Sequence, residues 1–270
     1  MTIGTTTVTS ADGSQFDVLE EGDGFPILIV HPGGSTSSSW TQVARRLAAR
    51  FRVLRFDRRP YRSHGNVKPA ETMGNEVADV LAAAAFAGRP PLLVGHSSGA
   101  VVALEAALAA PWRFAGMVLY EPPVAVTSPL GGDALVRARA ALDAGKPGQA
   151  MKIHLREIVE APGYLVRLLP VIRPLWRQVT NYAPGQISDD MALESLGVGI
   201  DRYAAVEVPA LLLGGARSPE HLRVRLDALA GVLPQLRSVV ILQGQGHLAN
   251  ARSPGKIAHI IETFADTVTS

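Results

Sequence analysis

Cysteine is absent from all 270 residues. That excludes disulfides, thiolate metal sites and a cysteine nucleophile, and it fits a reducing compartment. Neither sign of charge dominates: 26 Lys and Arg stand against 24 Asp and Glu, a formal net charge of +2. The two signs are interspersed, so the chain presents no basic stripe for nucleic acid. No apolar run approaches the ~20 residues that a membrane-crossing helix needs. The opening stretch, MTIGTTTVTSADGSQ, has no basic segment leading into an apolar one and so does not read as a secretory signal. Clusters with metal-ligand spacing and a dinucleotide glycine fingerprint are also missing, so no cofactor is expected. The expectation is a cytoplasmic protein that contacts neither membrane nor nucleic acid. Oligomeric state leaves no mark in the sequence.

What is present is apolar residue: 47% of the chain, enough to bury a sizeable core. TTTVT (5–9) and QFDVLE (15–20) flank ADGS, the signature of a hairpin. An unbroken apolar run follows at 26–31, as in a strand covered on both faces, and further strands read at 52–56, 91–95, 116–120, 210–214 and 237–242. Helical spacing lies between them, over 40–51, 71–87, 98–110, 219–230 and 254–268. This alternation predicts an open, mostly parallel sheet with helices on both faces, and ligands gather at the carboxyl ends of such strands.

Residues 124–205 break the pattern. They show helical stretches at 133–145, 147–160 and 162–182, punctuated by proline, and no strong strand signal. The predicted organisation is a core of 1–123 and 206–270, with 124–205 inserted as a helical cap. Within it, Tyr164, Leu165, Leu168, Leu169, Ile172 and Trp176 form an apolar stripe, either packing the cap or lining a substrate pocket. Arg156, Arg167, Arg173 and Arg177 either meet an acidic substrate or carrier protein or form a solvated face.

The stretch LLVGHSSG runs a buried-looking strand straight into a serine. Gly95-His96-Ser97-Ser98-Gly99 fits G-x-S-x-G, and the segment after it reads as a helix. A sharp strand-to-helix turn needs small neighbours two residues either side, lifts the serine hydroxyl above the sheet edge and backs it with a helix N-terminus. Ser97 is the candidate nucleophile. His247 follows the last strand, between glycine and the final helix, and is the candidate base. His96 reads as a packing or hydrogen-bonding residue, and His64, His154, His221 and His259 as surface groups. In VHPGG, Pro32 has no N–H, so Gly33 or Gly34 is expected to join Ser98 in donating backbone N–H groups to an oxyanion. His31, Gly34, Tyr164 and Trp176 are the expected substrate contacts.

The order VHPGG, FDRR, GHSSG, inserted segment, LLLGG and GQGH resembles the α/β-hydrolase family over essentially the whole chain. The resemblance implies an eight-stranded, mostly parallel sheet and a Ser–acid–His triad in that chain order. Family members with epoxide hydrolase or haloalkane dehalogenase activity use an Asp nucleophile, which Ser97 argues against. The family's usual acid position is occupied here by Ser218, in GGARSPEHL, and serine cannot hold an imidazolium by charge. Glu121, closing MVLYE before two prolines, is the expected replacement, because some members carry their acid after the sixth strand. Glu220 is the alternative, or the triad lacks an acid, and Asp57 is expected to order its loop or form a structural ion pair. The implied function is hydrolysis of a carboxylic ester, lactone or thioester through an acyl-Ser97. Two readings compete with it. One is cofactor-free chemistry on the same scaffold, such as oxygenation, C–C cleavage or perhydrolysis; the other is a small-ligand receptor without catalysis. The expected partner is a small acyl substrate, delivered by a carrier protein if it is a thioester.

Overall fold

The computed structural model describes residues 3–62 and 72–269. His64 and residue 71, where a surface group and a helix start were expected, lie outside them. Eight strands form one sheet: β1 (Gly4–Thr9), β2 (Gln15–Glu21), β3 (Phe25–Val30), β4 (Phe51–Phe56), β5 (Leu92–His96), β6 (Gly116–Tyr120), β7 (Ala210–Gly215) and β8 (Leu236–Leu242). Their spatial order is β1-β2-β4-β3-β5-β6-β7-β8. β2 runs antiparallel to both of its neighbours, and all other pairs are parallel. The fold is thus the α/β-hydrolase architecture.

The apolar strands are explained by their two faces. Ile27, Ile29, Val94, Val118 and Leu213 pack on one side against α1 (Thr41–Leu47) and α11 (Pro254–Val268). Leu28, Val30, Leu93, Leu119 and Leu212 pack on the other against α2 (Met73–Phe86) and α3 (Ser98–Ala109). Alternate residues therefore serve two cores, and no face is left for polar residues. The chain leaves β3 toward β4 and then returns to the opposite side of β3 with β5. At that reversal the loops after β3 and β5 diverge and open a crevice at their carboxyl ends.

Residues 124–205 contain α4 (Gly132–Asp143), α5 (Pro147–Ile153), α6 (Gly163–Leu168), α7 (Arg173–Asn181) and α8 (Ala183–Glu194). Leu135, Ala138, Ala141, Ala150 and Ile187 give α4, α5 and α8 a small core of their own. The helix expected over 162–182 is two helices. Pro170 and Pro174 cannot donate to a helical ladder, so the chain breaks between Leu169 and Ile172. After β7 come α9 (Glu220–Ala230) and, past β8, the short α10 (Ala249–Arg252). No helix among the described residues is long and apolar enough to cross a membrane.

Candidate active site

Ser97 sits between the end of β5 and the first turn of α3, at φ 54° and ψ −129°. A non-glycine residue at positive φ is strained, so the surroundings must hold it there. Its N–H donates to the Tyr120 carbonyl at 2.8 Å, and its own carbonyl accepts from Ala100 N–H at 2.8 Å. The flanking glycines are sterically required. A Cβ on Gly99 would come within 2.2 Å of the His31 carbonyl oxygen, and one on Gly95 within 2.5 Å of the Ala100 Cα. The first-turn amides of α3, including Ser98 N–H, have no carbonyl within the helix to bond.

His247 lies in the turn between β8 and α10. Its Nδ1–H donates to Glu121 Oε2 at 2.6 Å, which leaves Nε2 to take up a proton. Glu121 is itself at positive φ, 48°, one residue past β6. Its other oxygen, Oε1, accepts from Gly215 N–H at 2.6 Å, so the buried carboxylate has a donor on each side. Glu220 begins α9 on an exposed face. Ser218 Oγ is buried without a hydrogen-bond partner among the described residues.

The turn carrying His247 is pinned from below. His96 Nε2–H donates to the His247 carbonyl at 2.9 Å, and its ring stacks on Tyr120 at 4.3 Å. Burial and the neighbouring His247 hold the His96 proton affinity well below the usual imidazole range. The Tyr120 hydroxyl donates to the Gly246 carbonyl and accepts from Ala249 N–H. The sequence offers no sign of this role for Tyr120, since a tyrosine closing a core strand reads only as bulk.

The loop after β3 brings Gly33 and Gly34 to the same cavity as Ser97 and Ser98. Gly33 has no room for a side chain: a Cβ would lie 2.7 Å from Gln186 Oε1 and 3.0 Å from the Tyr61 hydroxyl. His31, expected to touch substrate, is instead fully buried behind this loop. Arg58 N–H donates to its Nε2 at 2.8 Å, so Nδ1 carries the proton and donates to the Pro32 carbonyl at 2.8 Å. Burial and the nearby Arg58 push its pKa down to about 4, so the ring is a neutral brace for the loop. Asp57 likewise orders a loop, accepting from Ser37 N–H at 2.8 Å.

A buried ionic cluster stands behind Ser98. Arg58 binds both oxygens of Glu76, at 2.8 and 3.0 Å, and Asp189 Oδ1 at 2.5 Å. The Ser98 hydroxyl accepts from Arg58 at 2.7 Å and donates to Asp189 Oδ2 at 2.7 Å; the Tyr61 hydroxyl donates to the same oxygen at 2.8 Å. Asp189 belongs to α8, so the inserted helices reach the residue beside Ser97. Lone Arg and Asp residues in separate segments gave no warning of this contact.

The cavity, about 440 Å³, lies between the sheet edge and the inserted helices. Besides His31, two further expected substrate contacts are not on its wall. Tyr164 is 64% exposed, and Trp176 packs over Gly148 on α5. The stripe around them is mostly exposed because α6 and α7 turn it outward. Arg156, Arg167, Arg173 and Arg177 are exposed as well. Two histidines expected at the surface line the cavity instead. His154 is buried and donates from Nδ1 to Asp190 Oδ2 at 2.6 Å, and His221 lies 3.3 Å from Glu160. His259 is exposed, as expected. Among the described residues no cluster of metal-ligating side chains occurs.

Residues 27–260 match the model of the Alpha/beta hydrolase family. A solved alpha/beta hydrolase from Sphaerobacter thermophilus superposes with a TM-score of 0.82 at 30% identity, covering 96% of this chain and 100% of that one. RutD of Azorhizobium caulinodans, named for carbamate hydrolysis, is 27% identical and covers 96% of this chain and 98% of its own. The hydrolase YraK of Bacillus subtilis is 30% identical over 116 residues, 41% of this chain and 42% of that protein. A match to rat protein phosphatase methylesterase 1 spans 26% of that protein's length.

Proposed function

The chain belongs to the alpha/beta hydrolase family, and from that premise we propose that it cleaves a carboxylic ester, lactone or thioester through an acyl-enzyme on Ser97. The observation that carries this reading is one cavity lined by both a serine strained onto a strand-to-helix elbow and a histidine bonded to a buried carboxylate. In this reaction Ser97 Oγ attacks the carbonyl carbon and its proton passes to His247 Nε2. Glu121 keeps the ring in the Nδ1–H tautomer and stabilises the imidazolium that forms. The tetrahedral oxygen takes N–H donors from Ser98 and Gly33, each worth roughly 10²–10³ in rate in comparable sites. His247 then returns the proton to the leaving oxygen or sulfur. Water attacks the acyl-Ser97 carbonyl as His247 accepts its proton; the bond from Ser97 Oγ to the acyl carbon then breaks, His247 returns the proton to Ser97 Oγ, and the acid departs.

A receptor lacking catalysis drew its support from the missing acid at position 218. The Glu121–His247 bond counts against that reading, because an orienting carboxylate has no use in a site that only binds. The test is labelling with a fluorophosphonate probe, mapped by peptide mass spectrometry on the wild-type protein and Ser97→Ala. We expect a single adduct on Ser97, absent from the variant. A folded wild-type protein left unlabelled would overturn the proposal.

A further inference from the structure

The cavity wall is chiefly apolar, contributed by side chains such as Leu135, Met151, Ile158 and Leu222. Five histidine or arginine side chains line it: His96, His154, His221, His247 and Arg225; burial holds the His96 proton affinity well below the usual imidazole range, and its Nε2 is taken up by the His247 carbonyl. Three of them have a carboxylate within ion-pair distance. His154 has Asp190 at 2.6 Å, His247 has Glu121 at 2.6 Å, and His221 has Glu160 at 3.3 Å. Arg225 has none among the described residues. The contrast holds along α9 itself, where Arg223 on the outer face pairs with Asp227 at 2.9 Å.

Arg225 is half-buried, and loss of water lowers its proton affinity, with Glu160 opposing this from beyond ion-pair reach. A guanidinium that has lost much of its water without gaining an anion is poorly compensated, and a bound anion would supply the missing partner. Arg225 follows His221 by one helical turn, and both line the same cavity as Ser97 and His247.

We propose that Arg225 is an anion-binding residue for substrate, and that this site takes an ester or thioester bearing one free carboxylate. A dicarboxylic acid half-ester is the simplest such molecule. One unpaired cation matches the single charge of a carboxylate, and the planar guanidinium matches its two oxygens. The apolar wall suits the carbon chain between the two functional groups. This inference rests on the hydrolase reading above.

The experiment compares kcat/KM for methyl half-esters of three- to six-carbon dicarboxylic acids, and for acetoxy acids of similar length. Each is set against its neutral primary-amide counterpart, with wild type, Arg225→Met and Arg225→Lys. We expect at least one acid to exceed its amide by about tenfold or more in the wild type, the scale of a charge-assisted hydrogen bond. The acid-to-amide ratio should collapse in Arg225→Met and be partly kept in Arg225→Lys. An acid preference in no pair, or one that survives Arg225→Met, overturns the proposal while leaving Ser97 labelling and the hydrolase reading intact.

Should Ser97 resist the fluorophosphonate and no ester be cleaved, the hydrolase reading falls alone. Calorimetric titration with glutarate and with inorganic phosphate then decides on Arg225. Glutarate binding that is lost in Arg225→Met supports the carboxylate site; phosphate binding in its place, or no binding, overturns it.

Discussion

At Glu121 the backbone takes a positive φ and the side chain divides its two oxygens between His247 and the Gly215 amide. The second contact matters because Gly215 closes β7, the strand after which the resemblance places the acid. A glutamate one strand earlier thus brings its carboxylate beside the end of β7, while Ser218 has only a short hydroxyl there. Reach is the reason for the residue type. Glu121→Asp removes one methylene and should separate the carboxylate from His247. Glu121→Gln keeps the length and removes the charge. We expect both to slow Ser97 acylation, the glutamine by about 10³–10⁴-fold, as when the acid of such a triad is neutralised. Stopped-flow acylation rates would measure it, and a loss below tenfold would remove Glu121 from the mechanism.

At the scale of elements, the junction of α3, α8 and the loop after β4 is held by charge as well as by apolar packing. Asp189 is fully buried and receives Arg58, Ser98 and Tyr61. Removing its charge leaves Arg58 with Glu76 as its one carboxylate among the described residues, takes away the acceptor of the Ser98 hydroxyl, and leaves the Tyr61 hydroxyl only Gln186 Oε1 at 3.3 Å. Breaking one partner from such a buried pair costs about 3–5 kcal/mol. Asp189→Ala should therefore lower the free energy of urea unfolding by that amount, and a change under 1 kcal/mol would show the cluster to be dispensable. The packing of α3 against β3 is equally unforgiving. Gly99→Ala would drive a methyl into the His31 carbonyl, so the expected outcome is loss of soluble folded protein. Thermal unfolding followed by circular dichroism reads that directly.

Over the whole molecule, buried titratable groups set the response to pH. His31 is held to about 4 by burial and Arg58, against 6.5 for an exposed imidazole, and His96 is depressed in the same sense. Each stays neutral in the fold while the unfolded chain is protonated. Their stabilisation is complete above about pH 6.5 and is lost as pH falls toward the folded values. Glu76 acts in the opposite sense: burial raises it from 4.5 to about 7, so its contribution is full below pH 4.5 and lost as pH rises. Three depressed imidazoles, counting the half-buried His221, against one raised carboxyl leave a net uptake of protons on unfolding between pH 4.5 and 6.5. Stability should then rise across that window, by roughly 1.4 kcal/mol per pH unit for each net proton. Urea unfolding at half-unit steps checks it, and a falling curve would contradict the assignment.

The strands and the strand-to-helix elbow at Ser97 were legible in the chain because each rests on local rules. Strands buried on both faces must be continuously apolar, helices between them must be amphipathic, and an elbow needs Gly95 and Gly99 around Ser97. His247 was legible for the same reason, standing alone between the last strand and the last helix. Glu121 was accessible only through resemblance, since nothing local separates it from Glu220; the bond to His247 is made across 126 residues. The inserted helices misled most. Amphipathic spacing identifies an apolar stripe but not which way it faces, and tertiary packing turned Tyr164 outward while drawing His154 into the cavity wall. His31 was misjudged likewise, because a histidine after a strand serves substrate or scaffold according to what meets its two nitrogens. The sequence alone determined the sheet and the elbow, which depend on neighbours along the chain. The acid's connection, the ionic cluster behind Ser98 and the unpaired Arg225 were decided by tertiary structure, because charge pairing and desolvation depend on what folding brings together.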